Sequence, residues 1–127
     1  MKKFYFFVLI ASGVWWYASH RFNFSDALVY AHGHPKATWA PKVEYSVAVI
    51  YLQRADYPKA QETFDMLLAD FPNSEYEGRA LMHLSEAAEE NRDWPASKEA
   101  VAKYLEEFPD APDRQMVERR KELLYNK

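Results

Sequence analysis

From Pro58 the chain reads PKAQETFDMLLADF, with apolar residues at Ala60, Phe64, Leu67, Leu68 and Phe71. Steps of three and four are those of a helix with one buried stripe. Pro58 suits the first helical position, where a missing N–H costs nothing. Asp56 stands just ahead as a cap. Pro72 ends the segment, because a proline excludes α geometry from the residue before it. The preceding stretch, VEYSVAVIYL over Val43 to Leu52, is apolar almost all round. A helix of that kind must be covered on every side. After Pro72, Asn73-Ser74 begins a further helix predicted through Ala80, Leu81, Leu84 and Ala87 to about Glu90. A turn at Asn91-Arg92-Asp93 leads to a helix over Pro95 to Phe108, with Val101, Tyr104, Leu105 and Phe108 inward. A last helix is predicted over Asp113 to Tyr125, with Met116, Val117, Leu123 and Leu124 as its apolar side.

These segments recur in step. Pro35, Pro72 and Pro109 are 37 residues apart; Asp56-Tyr57-Pro58 returns as Asp93-Trp94-Pro95, and Phe71-Pro72 as Phe108-Pro109. A fixed period of this size marks a chain built from stacked copies of one small unit. Each unit buries its apolar face only against its neighbours. Run backwards, the period makes Asp26 to His34 the second helix of a truncated leading unit, with Ser25 as cap and Gly33 near its end. The predicted fold is therefore all-α. Residues 25–127 form a helical repeat domain of a half unit, two helix pairs and a closing helix.

The first 24 residues read differently. Phe4 to Ala18 is an uncharged run of 15 residues, preceded by Lys2 and Lys3 and followed by His20 and Arg21. Cleavage after the small residues Ala11 and Gly13 would leave only Phe4 to Ile10 as the apolar core of a signal peptide. Trp15, Trp16 and Tyr17 suit a membrane interface better than a cleavage site. The expectation is a retained transmembrane helix and linker over residues 1–24. Phe4, Phe6, Phe7, Leu9, Ile10, Trp15, Trp16 and Tyr17 would meet the lipid bilayer, with help from Ser19 to Phe24. This places a single-pass protein in the inner membrane, with its N-terminus cytoplasmic and its repeat domain in the periplasm.

Composition narrows the partners. There are only three glycines and no cysteine, while Phe, Tyr and Trp make up 17 % of the chain. Without cysteine there is no disulfide, thiolate metal site, cysteine nucleophile or cysteine-linked lipid. From Asp56 to Asp113 there are fifteen acids and five bases. That acidic body excludes nucleic acid as a partner, since phosphate binding needs clustered Lys and Arg. From Arg114 to Lys127 the balance reverses, with five bases and two acids.

From about Ser25 to Tyr125 the chain resembles tetratricopeptide repeats. Val47-Ala48 and Tyr51, then Tyr57, Ala60, Phe64 and Pro72, carry the family pattern in the first full unit. The second unit has Trp94, Val101 and Pro109, but Ser97 stands where Ala60 stood and Arg92 where a glycine is usual. The phrases FPNSEYEGRALMHL and HPKATWAPKVEYSVAVIYL look like the longer-period repeats of bacterial envelope proteins. The outer-membrane barrel-assembly lipoprotein and the periplasmic coordinator of the Tol–Pal system are examples. The resemblance implies that the first helix of each pair lines a concave groove for a protein partner. Lys42, Tyr45, Val49 and Leu52 of the first unit and Arg79, Met82, Glu86 and Glu89 of the second would face it. A groove apolar at one end and acidic at the other suits a helix or extended peptide carrying basic residues. Trp39 and Tyr76, at the starts of first helices, read as packing residues between units and, if exposed, as hot spots.

Catalytic chemistry is missing. There is no glycine-rich phosphate loop, and no serine sits in a nucleophile elbow. His32 and His34 flank Gly33, but no third ligand is recognisable, so no metal and no cofactor is assigned. The sequence reads as a membrane-anchored scaffold that tethers another envelope protein without turnover, with no small-molecule substrate. The alternative is an accessory subunit built permanently into a larger membrane complex.

Overall fold

The stripe at Ala60, Phe64, Leu67 and Leu68 is buried as its spacing requires, and the helix it defines rests between two neighbours in the chain. The computed structural model describes residues 2–21 and 24–127, with side chains 18–24 left aside. All described elements are helices: α1 (Lys2–Arg21), α2 (Phe24–His32), α3 (Ala40–Gln53), α4 (Tyr57–Asp70), α5 (Glu77–Glu90), α6 (Trp94–Glu107) and α7 (Arg114–Tyr125). From α2 onward each helix packs on the next, and α3 also touches α5. That order is a stack in which first helices lie beside first helices.

Small residues set the spacing within a pair. Ala48 of α3 and Ala60 of α4 are fully buried, as are Phe64 and Leu67. In the second pair Ala80, Ala87, Ala88 and Val101 are fully buried. Pro41, Pro58 and Pro95 sit in the first turns of α3, α4 and α6.

The helix ends repeat as well. The N–H of Asp56 bonds to the carbonyl of Tyr51 (2.9 Å) and that of Ala55 to Leu52 (3.0 Å). One period later Asp93 bonds to Ala88 (2.7 Å) and Arg92 to Glu89 (3.0 Å). Both are Schellman closures, which need a left-handed residue just past the helix. Ala55 and Arg92 fill that place, each at φ 58°.

Several local expectations are corrected. Asn73-Ser74 lies in a turn, and α5 begins only at Glu77. Asp56 makes no side-chain cap bond, whereas its counterpart Asp93 accepts the N–H of Ala96 at 3.3 Å. Ser25 lies inside α2 rather than ahead of it. On α7 only Val117 and Leu124, seven apart, are buried; Met116 and Leu123 are exposed.

The transmembrane expectation falls. Among the described residues no helix is long and apolar enough to cross a membrane. α1 has 20 residues, but Lys2 and Lys3 occupy one end and Ser19, His20 and Arg21 the other. The run between is about 22 Å long at 1.5 Å per residue, against a hydrocarbon core of about 30 Å. Ser12 interrupts it, its hydroxyl donating to the Leu9 carbonyl at 2.9 Å. The single-pass inner-membrane placement of Phe4, Phe6, Phe7, Leu9, Ile10, Trp15, Trp16 and Tyr17 is therefore withdrawn. Those eight side chains are exposed. The supposed help from Ser19 to Phe24, and the linker before Ser25, lie outside the described side chains.

Candidate protein-binding groove

First helices α3 and α5 carry the expected groove positions. Tyr45 of α3 stacks on Tyr76, the residue before α5, with ring centroids 4.8 Å apart and planes 25° apart. Arg79 lies over both rings, 5.4 Å from Tyr45 and 5.3 Å from Tyr76. The stack joins the two units, and the guanidinium on it is exposed. Stacking fixes the planar guanidinium while leaving its N–H groups outward. Tyr45 also meets Phe64 edge-on at 6.3 Å, so a groove residue rests directly on the core.

Val49, Leu52, Tyr76 and Met82 are half-buried and pack on the core, while Lys42 is exposed. Trp39 stacks on Tyr30 of α2 at 5.4 Å and 9° and lies 6.0 Å from His34, yet remains 39 % exposed. It therefore packs against the leading half unit and still offers an edge to solvent.

Beyond Arg79 the groove deepens into a cleft of about 710 Å³ between α5, α6 and the start of α7. Arg79, Met82, His83 and Glu86 of α5 line it, with Tyr104 of α6, Phe108 just past its end, and Pro112, Asp113 and Met116 from the approach to α7 and its first turn. Gly78 contributes no side chain, and a Cβ there would stand 3.5 Å from the Tyr104 ring. The Tyr104 hydroxyl donates to Asp113 at 2.6 Å, tying α6 to the start of α7. Burial, then Asp113, pushes the Tyr104 pKa up to about 12, so the phenol stays a donor.

The acids are less free than their sequence positions suggest. Glu86 lies 3.4 Å from His83 Nδ1, and that hydrogen bond holds its carboxyl below the usual range against the opposing effect of burial. His83 in turn stacks on Phe64 at 5.7 Å. Glu89 accepts from Arg120 of α7 at 2.6 Å. The same guanidinium donates to Ser85 Oγ at 3.1 Å. Ser97 Oγ donates to the Ser85 carbonyl at 3.0 Å, which leaves the Ser85 hydroxyl to donate to Ser97 Oγ at 2.9 Å. The unmatched Ser97 of the second unit thus belongs to a buried bridge across α5, α6 and α7. Sequence reading counted Arg120 only among the five bases of the last segment, and it missed His83 as a groove residue. Its place one helical turn from the groove position Arg79 carried the available signal.

No curated protein and no solved structure matches the chain. The model of one family, YfiO, described as an outer membrane lipoprotein, matches residues 34–118. That description names the outer membrane where the sequence reading named the inner, and among the described residues no helix is long and apolar enough to cross a membrane. The match takes in 85 of the 127 residues, both helix pairs and the beginning of α7, and the chain belongs to the YfiO family.

Proposed function

We propose that residues 25–127 form a non-catalytic scaffold of the cell envelope that holds another envelope protein in the groove of α3, α5 and α7. One observation carries this reading: an exposed arginine held over a Tyr45–Tyr76 stack at the mouth of a 710 Å³ cleft. Tyrosine and arginine supply large rigid contact area at small entropic cost, which is why they dominate binding hot spots. The family description places its members at the outer membrane and agrees with an envelope role. Repeat arrays of this kind use their concave face for partners. The ligand class is a helical or extended segment with apolar residues for Val49, Leu52 and Met82. Its basic residues would meet Glu75 and Glu86.

Photo-crosslinking tests the groove directly. A crosslinking residue placed at Arg79 or Met82 is expected to trap one discrete envelope protein. The same residue at Glu62 or Glu99, exposed on α4 and α6, is expected not to trap it. Equal trapping from both sets refutes the groove. Arg79→Asp should remove capture while leaving the helical circular dichroism unchanged.

A second reading is favoured by one feature. α1 exposes apolar side chains on all its faces, from Phe4 at 71 % to Trp15 at 76 %. A surface like that calls for cover by other molecules. An accessory subunit built into a larger envelope complex would supply it. Gentle extraction followed by sizing separates the two: a discrete large complex favours the subunit, a mostly free protein the scaffold.

A further inference from the structure

Glu44, in the first turns of α3, is completely buried, and no protein donor reaches either of its carboxylate oxygens. Burying a carboxylate without donors or a counter-charge is among the costliest arrangements a fold can hold. Something must compensate it. Its polar neighbours are two more potential ligands. Asp70, the last residue of α4, presents a carboxylate, and His32, the last residue of α2, presents an imidazole whose Nδ1 lies 2.8 Å from Asp70 Oδ2. One ligand atom from each of the three lies within 4.8 Å of the others.

We propose that His32, Glu44 and Asp70 form a binding site for a divalent transition-metal ion of the zinc class, clamping α2 to the first full helix pair. The donor set decides the class. One imidazole nitrogen and two carboxylate oxygens match zinc-type coordination, in which a water would complete the set. Calcium and magnesium prefer all-oxygen shells. The charge also fits, since two carboxylates beside a neutral imidazole carry −2. An ion can reach the imidazole from solvent, because His32 is exposed and lines a cleft of about 330 Å³ between α2 and α4.

The second unit supplies an internal comparison. There Leu81 takes the place of Glu44, and Glu107, in the place of Asp70, meets Glu77 instead, with Lys103 beside them. Among the described residues, Asp70 is the charge that acts on Glu44, where Lys103 also acts on Glu77. Burial, then the neighbouring Asp70 carboxylate, push Glu44 up to about 8 in the cation-free protein, so a proton is the alternative occupant of this position. Metal and proton compete for the same oxygens.

The test uses the full-length chain without an affinity tag, stripped with chelator and dialysed against zinc sulfate. One zinc per chain is expected by elemental analysis. Metal at 100 times its dissociation constant raises the folded-to-unfolded ratio about 100-fold, so the melting temperature should climb by several degrees. His32→Ala changes an exposed residue and is expected to fold normally and lose the zinc. Glu44→Gln keeps the shape, removes the charge and should lose it too. His83→Ala and His34→Ala should retain it. No stoichiometric zinc, uptake that survives His32→Ala or Glu44→Gln, or equal stabilisation by magnesium would each overturn the site.

Discussion

Replacing Ala55 and Arg92 by glycine should stabilise this protein, although neither change adds a contact. Both residues sit at φ 58°, where a Cβ crowds the following carbonyl oxygen. The strain there is about 1–2 kcal/mol per site. Glycine removes it but gives the unfolded chain more freedom, which returns about 0.4–1 kcal/mol. The net expectation is about 0.5–1 kcal/mol for each substitution from the difference of those ranges. Both side chains are exposed, so no packing is lost. The sites close different helices, α3 and α5, so their effects should add, giving about 1–2 kcal/mol for the double variant. For a domain of about 100 residues that corresponds to a rise of roughly 5–10 °C in melting temperature. Thermal unfolding followed at 222 nm reads it directly. Glu62→Gly, exposed in the interior of α4, is the opposite control and should cost about 1 kcal/mol relative to alanine there. If both Schellman glycines leave the melting temperature unchanged or lower it, the assignment of stored strain at these closures is wrong.

Other expectations follow from the core and its polar bridges. Phe64→Ala empties a fully buried ring position and should cost about 3–5 kcal/mol in urea unfolding, enough to bring a marginal domain near its midpoint. Ser85→Ala removes the acceptor of Arg120 and the donor to Ser97; it should cost about 1–3 kcal/mol, most of which Arg120→Ala should not add again. Glu77 is nearly buried, and burial followed by Glu107 raises its pKa from 4.5 to about 7. The folded chain then holds a proton that the unfolded chain has released, so this contribution is complete below about 4.5 and lost as pH rises through about 7. Between pH 5 and 8 the melting temperature should fall more in the wild type than in Glu77→Gln; parallel curves would refute that linkage.

The repeat was legible because its signals are local. Pro58, Ala60, Phe64 and Pro72 each specify helix start, close approach, core and stop, and α4 and α6 were placed within one residue at each end. Boundaries failed where polar residues offered two structures. Asn73-Ser74 could open a helix or make a turn, and the N–H of Tyr76 reaching Ser74 Oγ at 3.3 Å belongs to the turn. The membrane span failed because 15 uncharged residues sit at the margin of two classes, and end charges decided against it. The groove positions were readable from the period, yet their partners were not. Arg120 meets Glu89 across 31 positions, and His32 meets Asp70 across 38. No local pattern encodes distances of that kind.

The order of contacts has one more consequence. From α2 to α7 the helices are joined like links, with the α3–α5 touch as the main cross-tie. Damage to one link should stay near it, and fraying should begin at the outermost coils. Amide exchange would then trace a gradient, slowest around Phe64 and Leu81 and fastest toward Tyr125. Any guest lying across α3 and α5 would flatten that gradient, so its arrival could be sensed far from where it sits.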